Sequence, residues 1–223
     1  MGSVSFILPC ILGAFFFVAL CYATPAPSPD LEFERCRNSS EIDVEVLMYC
    51  VHSEFQEDKL LETYRMYNTT RCVHCRNFCR KQETFLNCFR TFTGNVKDLS
   101  NKSRLMVPFF GRLFEEVIIK FCENESLMSA GYSHGEDGRC YKESRKSCGS
   151  HISPFNNMED LAFCDKENTE YGEDNRKFTC QTLLEYLKCT ETAADSCSDA
   201  VKNTHATTTS LLLNSETCGE YLA

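Results

Sequence analysis

The segment Cys72-Val73-His74-Cys75 is the part of the sequence whose residue types and spacing are most directly suited to chemistry. A Cys-x-x-Cys pair is typical of a redox dithiol, and with a histidine beside it the pair is also typical of half a zinc site. Both chemistries need thiols that are free of structural bridges to other cysteines. No second Cys-x-x-Cys or His-x-x-x-His supplies the other half of a zinc site. We therefore expect structural disulfides and no metal.

Histidines are spread over five separate segments, at His52, His74, His134, His151 and His205. None of them lies in a recognisable catalytic frame, because the chain has neither Gly-x-Ser-x-Gly nor His-Glu-x-x-His. We expect surface or half-buried histidines, no catalytic residue and no cofactor. The sequence thus predicts a protein that is not an enzyme.

Two acidic segments, residues 167–174 and Gly135-Glu136-Asp137-Gly138, have the clustered carboxylates that calcium prefers. Neither has the ordered alternation of an EF-hand loop. Lys166, Arg176 and Lys177 balance the charge of the first segment. We expect both segments to be solvated loops without a metal ion.

The N-terminus indicates the secretory pathway. Residues 6–20 are almost wholly apolar, the first charged side chain is Asp30, and Cys21-Tyr22-Ala23 is a suitable cleavage site. An uncleaved membrane anchor is the alternative, but the run is short and has no basic flank. The sequence predicts a signal peptide over residues 1–23, a Pro-rich tail over 24–34 and one cysteine-rich helical domain over 35–223. The protein is expected to be secreted and extracellular.

Cysteines are abundant in the mature chain, since fourteen of the sixteen lie beyond the signal peptide. In an oxidising compartment an even set is expected to form disulfides, whose pairing the sequence leaves open. The fourteen are Cys36, Cys50, Cys72, Cys75, Cys79, Cys88, Cys122, Cys140, Cys148, Cys164, Cys180, Cys189, Cys197 and Cys218.

Surface chemistry adds two expectations. Four N-glycosylation sequons begin at Asn38, Asn68, Asn101 and Asn124 and predict a glycoprotein. The formal charge of −9 disfavours nucleic acid and an anionic membrane surface as partners.

Helical periodicity dominates the mature chain, and no alternating run of strand length competes with it. The fold class predicted is all-α, a disulfide-stapled helical bundle with polar connecting loops. Ser39 or Ser40 is available as the first N-cap, and Pro108 is expected in the first turn of the most apolar helix. Loops are expected at residues 131–138, 149–157 and 165–177. The predicted helices are Glu41–Phe55, Lys59–Tyr67, Cys72–Phe92, Leu105–Phe121, a short charged helix carrying Cys140 and Cys148, Phe178–Lys188, Ala193–Val201 and Ala206–Leu213.

A short internal similarity is also visible. Phe85-Leu86-Asn87-Cys88 and Tyr186-Leu187-Lys188-Cys189 each end nine residues after an earlier cysteine, Cys79 and Cys180 respectively. Such a match is compatible with a duplication but is too short to establish one.

Aromatic residues on the helix at Leu105–Phe121 allow two interpretations. Phe110, Phe114, Val117 and Phe121 recur at helical spacing, which is most often the mark of a core. The same residues are candidates to line an apolar pocket, because a helical shell around an apolar cavity is a common carrier design.

Several cysteine frames resemble the arthropod twenty-seven-kilodalton haemolymph glycoprotein family. Cysteine-rich secreted nematode domains of unknown function share the same general rhythm. The resemblance implies a secreted, mostly helical protein, and it assigns no catalytic residue. The frames are Cys79…Phe85-Leu86-Asn87-Cys88-Phe89, Phe114-Glu115-Glu116-Val117-Ile118-Ile119-Lys120-Phe121-Cys122, Gly138-Arg139-Cys140-Tyr141…Cys148, and Cys180…Leu183-Leu184-Glu185-Tyr186-Leu187-Lys188-Cys189…Cys197…Thr217-Cys218.

Together these features predict a secreted non-enzymatic glycoprotein of body fluid or gland secretion that binds a partner protein or a small apolar ligand. The alternative is a salivary or venom-type effector or inhibitor that acts on a foreign protein. Neither a nucleic acid nor a stable membrane association is expected, and the sequence leaves the oligomeric state open.

Overall fold

The computed structural model describes residues 31–67, 72–123, 135–166, 171–172 and 174–222. The predicted signal peptide, residues 24–30 of the predicted tail and the sequons at Asn68 and Asn124 lie outside these residues. The described residues are mostly helical and contain no strand, which confirms the predicted all-α class. Its helices are α1 (Leu31–Ser53), α2 (Glu57–Met66), α3 (Val73–Arg80), α4 (Gln82–Val96), α5 (Asn101–Glu123), α6 (Glu136–Ser147), a 3-10 helix (Gly149–Asn157), a π-helical turn (Glu159–Phe163), α7 (Arg176–Ala193), α8 (Asp199–Leu213) and α9 (Gly219–Leu222).

Helix α1 begins ten residues before the predicted start at Glu41 and takes in the end of the predicted tail. Phe33 is buried, and two acidic residues in the first turn are favourable at the positive end of the helix. Ser40, expected as an N-cap, is buried inside the helix, where its hydroxyl donates to the Arg37 carbonyl at 2.8 Å. The local cap signal was therefore misleading, because burial of the apolar Phe33 extends the helix towards the N-terminus.

The predicted helix Cys72–Phe92 is two helices, α3 and α4, that meet at Lys81. Asn77, which is fully buried, explains the break. Its amide donates to the Glu54 carbonyl at 2.8 Å and its side-chain oxygen accepts from the Thr63 hydroxyl at 2.8 Å. Because a buried amide must keep these partners, α3 is tied to the preceding helix and cannot continue straight into α4.

Helix α5 is the expected central apolar helix, but it begins at Asn101. Ser100 and Ser103 start it with reciprocal bonds, in which each backbone N–H donates to the other residue's hydroxyl at 2.8 and 2.9 Å. Pro108 therefore lies in the helix interior, with its side chain exposed, and not in the first turn.

The C-terminal half differs from expectation at two connections. Residues 149–157, predicted as a loop, form the 3-10 helix. The predicted helix Ala193–Val201 is instead the end of α7, a turn and the start of α8. Ser198 caps α8 by accepting from the Val201 N–H. Cys197, which lies in the turn, forms a disulfide with Cys140 of α6. The serine cap and the disulfide together end one helix and begin the next.

All fourteen cysteines within the described residues form disulfides. The seven bridges are Cys36–Cys164, Cys50–Cys88, Cys72–Cys75, Cys79–Cys122, Cys140–Cys197, Cys148–Cys189 and Cys180–Cys218.

Two halves, residues 31–123 and 135–222, repeat one interleaved bridge pattern. In the N-terminal half Cys50 pairs with Cys88 while Cys79 pairs with Cys122. The C-terminal half pairs its cysteines in the same order, through Cys148–Cys189 and Cys180–Cys218. This repeated pairing supports the duplication that the short sequence match suggested. Of the seven bridges, only Cys36–Cys164 connects the halves.

Candidate functional site

An apolar cavity lies between the two halves. Helix α4 packs closely on α5 in one half, and α7 packs closely on α8 in the other. The two helix pairs face each other across a space of about 70 Å³ that is partly open to solvent. The cavity is thus a space between two packed helix pairs and belongs to neither half alone.

The four residues proposed from the sequence as pocket-lining all face this cavity. Phe110, Phe114, Val117 and Phe121 follow one another at steps of four, three and four residues, which places them on one face of α5. Phe114 also packs against Phe89 of α4, with ring centroids 4.0 Å apart. These four residues therefore form one wall of the cavity.

The opposite wall was missed by the sequence analysis. Leu183 and Leu187 of α7 face the cavity together with Leu211 and Leu212 of α8. Leu183 and Leu187 are four residues apart and were visible as a helical stripe. Nothing in the sequence indicated that this stripe faces α5 across a gap, because that depends on how the halves pack.

Polar groups at the cavity wall already have hydrogen-bond partners. The hydroxyls of Thr93 and Thr208 donate to backbone carbonyls of their own helices at 3.1 and 2.8 Å. The Ser215 hydroxyl donates to the Glu116 carboxylate at 2.8 Å. The remaining wall is almost entirely carbon. A water molecule inside would find few partners, so the cavity favours apolar contents.

Charged residues at the rim are also engaged. The Glu116 carboxylate accepts from the backbone N–H groups of Glu216 and Thr217 at 2.8 and 3.3 Å, so it closes the turn after α8. The Lys120 ammonium lies 3.0 Å from the Glu123 carboxylate, and this hydrogen bond raises the pKa of Lys120. Both charged side chains at the rim, Glu116 and Lys120, are thus paired with other groups of the protein.

Size limits what the enclosed part of the cavity can hold. A water molecule occupies about 30 Å³ of liquid, and an apolar cavity of about 150 Å³ binds benzene or xenon in a well-studied lysozyme variant. A space of about 70 Å³ accepts a group of a few carbon atoms. Because the cavity is partly open, a longer molecule can insert an apolar end and leave the remainder outside.

A buried serine–histidine pair lies elsewhere, between α6 and α8. The His205 Nε2 is 2.9 Å from the Ser144 hydroxyl, which itself donates to the Tyr141 carbonyl at 2.9 Å. With its proton directed at the Tyr141 carbonyl, the hydroxyl accepts from a histidine that is protonated on Nε2. The Tyr141 ring stacks on the His205 ring with centroids 4.9 Å apart. The pair is structural, and sequence reasoning had no signal that would bring the two residues together.

Acidification is expected to destabilise the fold through His205. Burial, assisted by the charge of Arg145, lowers the pKa of His205 from 6.5 to about 4. The contribution of His205 to stability is fully present above its unfolded-state pKa of 6.5. It is lost as pH falls from 6.5 towards 4, because the unfolded chain takes up the proton first. The loss reaches about 3 kcal/mol. Urea unfolding from pH 7 to pH 4 should show a flatter profile for His205→Gln than for the wild type.

The exposed His151 provides the matched control for that measurement. His151→Gln should keep the wild-type pH dependence. A His205→Gln profile as steep as the wild-type profile would show that other groups cause the acid sensitivity.

The sequence-predicted cysteine pair is bonded within itself. Cys72 precedes the first residue of α3, and its Sγ accepts from the Cys75 N–H at 3.1 Å. The pair thus has no bridge to any other cysteine, as a redox pair requires. Within the described residues, no group of three or more histidine, cysteine, aspartate or glutamate side chains is arranged to hold a metal ion.

The acidic segments have different outcomes. Glu136 and Asp137, expected in a loop, occupy the first turn of α6. Asp174 pairs with Arg176 at 2.5 Å, and residues 167–170 and 173 lie outside the described chain.

Asn38 and Asn101, the two sequon positions inside the described chain, are both exposed.

None of the described helices is long and apolar enough to cross a bilayer. Comparison with protein-family models, curated proteins and solved structures finds no match for the chain. The function is therefore inferred from the residues and their geometry.

Proposed function

We propose that the chain is a secreted, non-enzymatic glycoprotein that binds a small, uncharged apolar ligand in the cavity between its two halves. One observation carries this proposal: a partly open cavity with an almost entirely carbon wall lies between two helix pairs that belong to different halves of the chain. A well-packed core leaves few voids larger than a water molecule, so a space of this kind is a candidate binding site.

Ligand chemistry follows from the wall and the rim. Removing apolar surface from water contributes about 25 cal/mol for each Å² buried. A carboxylate or ammonium buried inside the cavity would need a partner, and the almost entirely carbon wall supplies none. The ligand class is therefore a hydrocarbon-like molecule or the apolar end of a neutral amphiphile.

Secretion is supported by three features of the chain. Seven disulfides are typical of an oxidising compartment. The apolar N-terminal segment matches a signal peptide, and Asn38 and Asn101 are exposed for glycan attachment. The resemblance to the haemolymph glycoproteins supports a location in body fluid.

An exposed apolar stripe on α1 favours the second candidate function, binding of a foreign protein as a secreted effector or inhibitor. Ile42, Val46 and Tyr49 are 63%, 55% and 78% exposed and share one face of the helix. Aromatic and aliphatic anchors on a surface are typical of protein interfaces. Expression in a salivary or venom gland would favour this function, whereas expression in a tissue that feeds the circulation would favour the carrier.

Filling the cavity should remove the ligand. Val117→Phe adds volume at the cavity wall, and a substitution of this kind usually changes stability by only about 1–3 kcal/mol. We expect organic extracts of the wild-type protein, secreted from eukaryotic cells and analysed by mass spectrometry, to contain an apolar compound that is at least tenfold depleted in the variant.

Val46→Phe is the matched control, because it makes the same change at an exposed position of α1. This variant should retain the compound at the wild-type level. Extracts that contain no enriched compound in any of the three proteins, or equal amounts in all three, would contradict the carrier function.

A further inference from the structure

The Cys72–Cys75 disulfide has the geometry of a redox-active pair at the start of a helix. Cys72 is the N-cap of α3 and Cys75 is the third helical residue. The Cys75 N–H donates to the Cys72 Sγ at 3.1 Å, and this bond also persists for a thiolate at Cys72. Backbone N–H groups and the positive end of a helix stabilise a negatively charged thiolate.

Electrostatics around the pair favour the thiolate as well. Helix α3 has no acidic residue in its first turn. Its charged side chains are Arg76, which directly follows Cys75, and Arg80, which pairs with the Glu62 carboxylate at 3.0 Å. A positive helix N-terminus without a carboxylate in its first turn stabilises the reduced, thiolate form of a disulfide and so makes the bond easier to reduce.

The bridge contributes little to holding the fold together. Its cysteines are three residues apart, whereas the partners in the other six bridges are separated by 38 to 128 residues. The stabilisation by a disulfide rises with the length of the loop that it closes. Cys72–Cys75 can therefore open while the remaining bridges retain the bundle.

We propose that Cys72–Cys75 exchanges with the dithiols of extracellular peptides or proteins, as an activity independent of the apolar cavity. A substrate thiolate attacks the Cys72 Sγ, the Cys72–Cys75 bond breaks, and Cys75 leaves as a thiolate. The second substrate thiolate then attacks the substrate sulfur of the mixed disulfide and releases Cys72 as a thiolate. Two electrons pass from the substrate to the pair; one of the substrate's two protons goes to Cys75 and the other to solvent.

The roles of the two sulfurs follow from their surroundings. Cys72 is 7% exposed and Cys75 is 3% exposed, so Cys72 is the less buried residue of the two. Cys72 is also the sulfur that receives the hydrogen bond from the helix N-terminus. The assignment makes Cys72 the exchanging cysteine and Cys75 the leaving and resolving one.

A glutathione titration of the intact mature protein tests this directly. The protein is equilibrated at graded ratios of reduced to oxidised glutathione, quenched in acid and alkylated, and each of the seven bridges is scored by peptide mass spectrometry. Cys72–Cys75 should be half reduced at a ratio at least tenfold less reducing than any other bridge requires. Opening together with, or after, another bridge would overturn the proposal.

Trapping with single variants adds a second readout. Cys75→Ser leaves Cys72 as a free thiol, and Cys140→Ser leaves Cys197, which is also 7% exposed, as the matched control. Cys72 should form a mixed disulfide with a synthetic disulfide-bonded peptide at least tenfold faster than Cys197. Equal rates would contradict a special reactivity of Cys72. If either variant fails to fold, the wild-type titration decides alone.

Discussion

Replacing both Cys36 and Cys164 with alanine is expected to lower the free energy of unfolding by about 5 kcal/mol, the largest effect of any single bridge. The bridge joins positions 128 residues apart, and a long loop has the most entropy to regain when it is released. It is also the one covalent connection between the halves besides the chain itself. Loss of the bridge therefore loosens the packing of the π-helical turn against α1.

Denaturant unfolding followed by circular dichroism measures this effect, with Cys72→Ser/Cys75→Ser as the control. That bridge closes a three-residue separation and should cost only about 2 kcal/mol. Equal losses for the two double variants would show that loop length does not govern how these bridges stabilise the protein.

Replacing Asp160 with alanine is expected to cost about 4 kcal/mol, because it leaves the buried Lys102 without its carboxylate partner. The Lys102 side chain is 2% exposed, and its Nζ lies 3.7 Å from the Asp160 carboxylate. The ammonium also donates to the Asp160 carbonyl, and burial lowers the pKa of Lys102. This pair fastens the start of α5 to the π-helical turn of the other half.

The double variant Lys102→Met/Asp160→Ala separates the charge effect from the packing effect. An apolar side chain of similar length needs no partner, so the double variant should recover at least half of the lost free energy of unfolding. Thermal and urea unfolding of the three proteins would show this. A double variant that is no more stable than Asp160→Ala would indicate that the carboxylate acts through other contacts.

Local pattern was sufficient for the all-α class and for one wall of the candidate site. The spacing of Phe110, Phe114, Val117 and Phe121 follows the helix period, and helix geometry alone places them on one face. Which face of α7 and α8 meets them depends on how the halves pack, so Leu183 and Leu212 were not predictable as cavity residues.

Errors in the predicted helices have nonlocal causes. The break at Lys81 depends on Asn77, whose partners lie 14 and 23 residues away in sequence. The early start of α1 depends on burial of Phe33, and its bridge from Cys36 reaches Cys164. Disulfide pairing was undetermined for the same reason, since the cysteine spacings do not specify which helices become neighbours.

Xenon NMR of the wild-type protein and of Val117→Phe tests the apolar cavity most directly. Xenon is small enough for a space of about 70 Å³ and binds through dispersion contacts with an apolar wall. We expect a saturable bound-xenon signal for the wild-type protein and for Val46→Phe, and no such signal for Val117→Phe. A bound signal of equal strength in Val117→Phe, or no bound signal in the wild-type protein, would contradict a ligand-accepting cavity between the two halves.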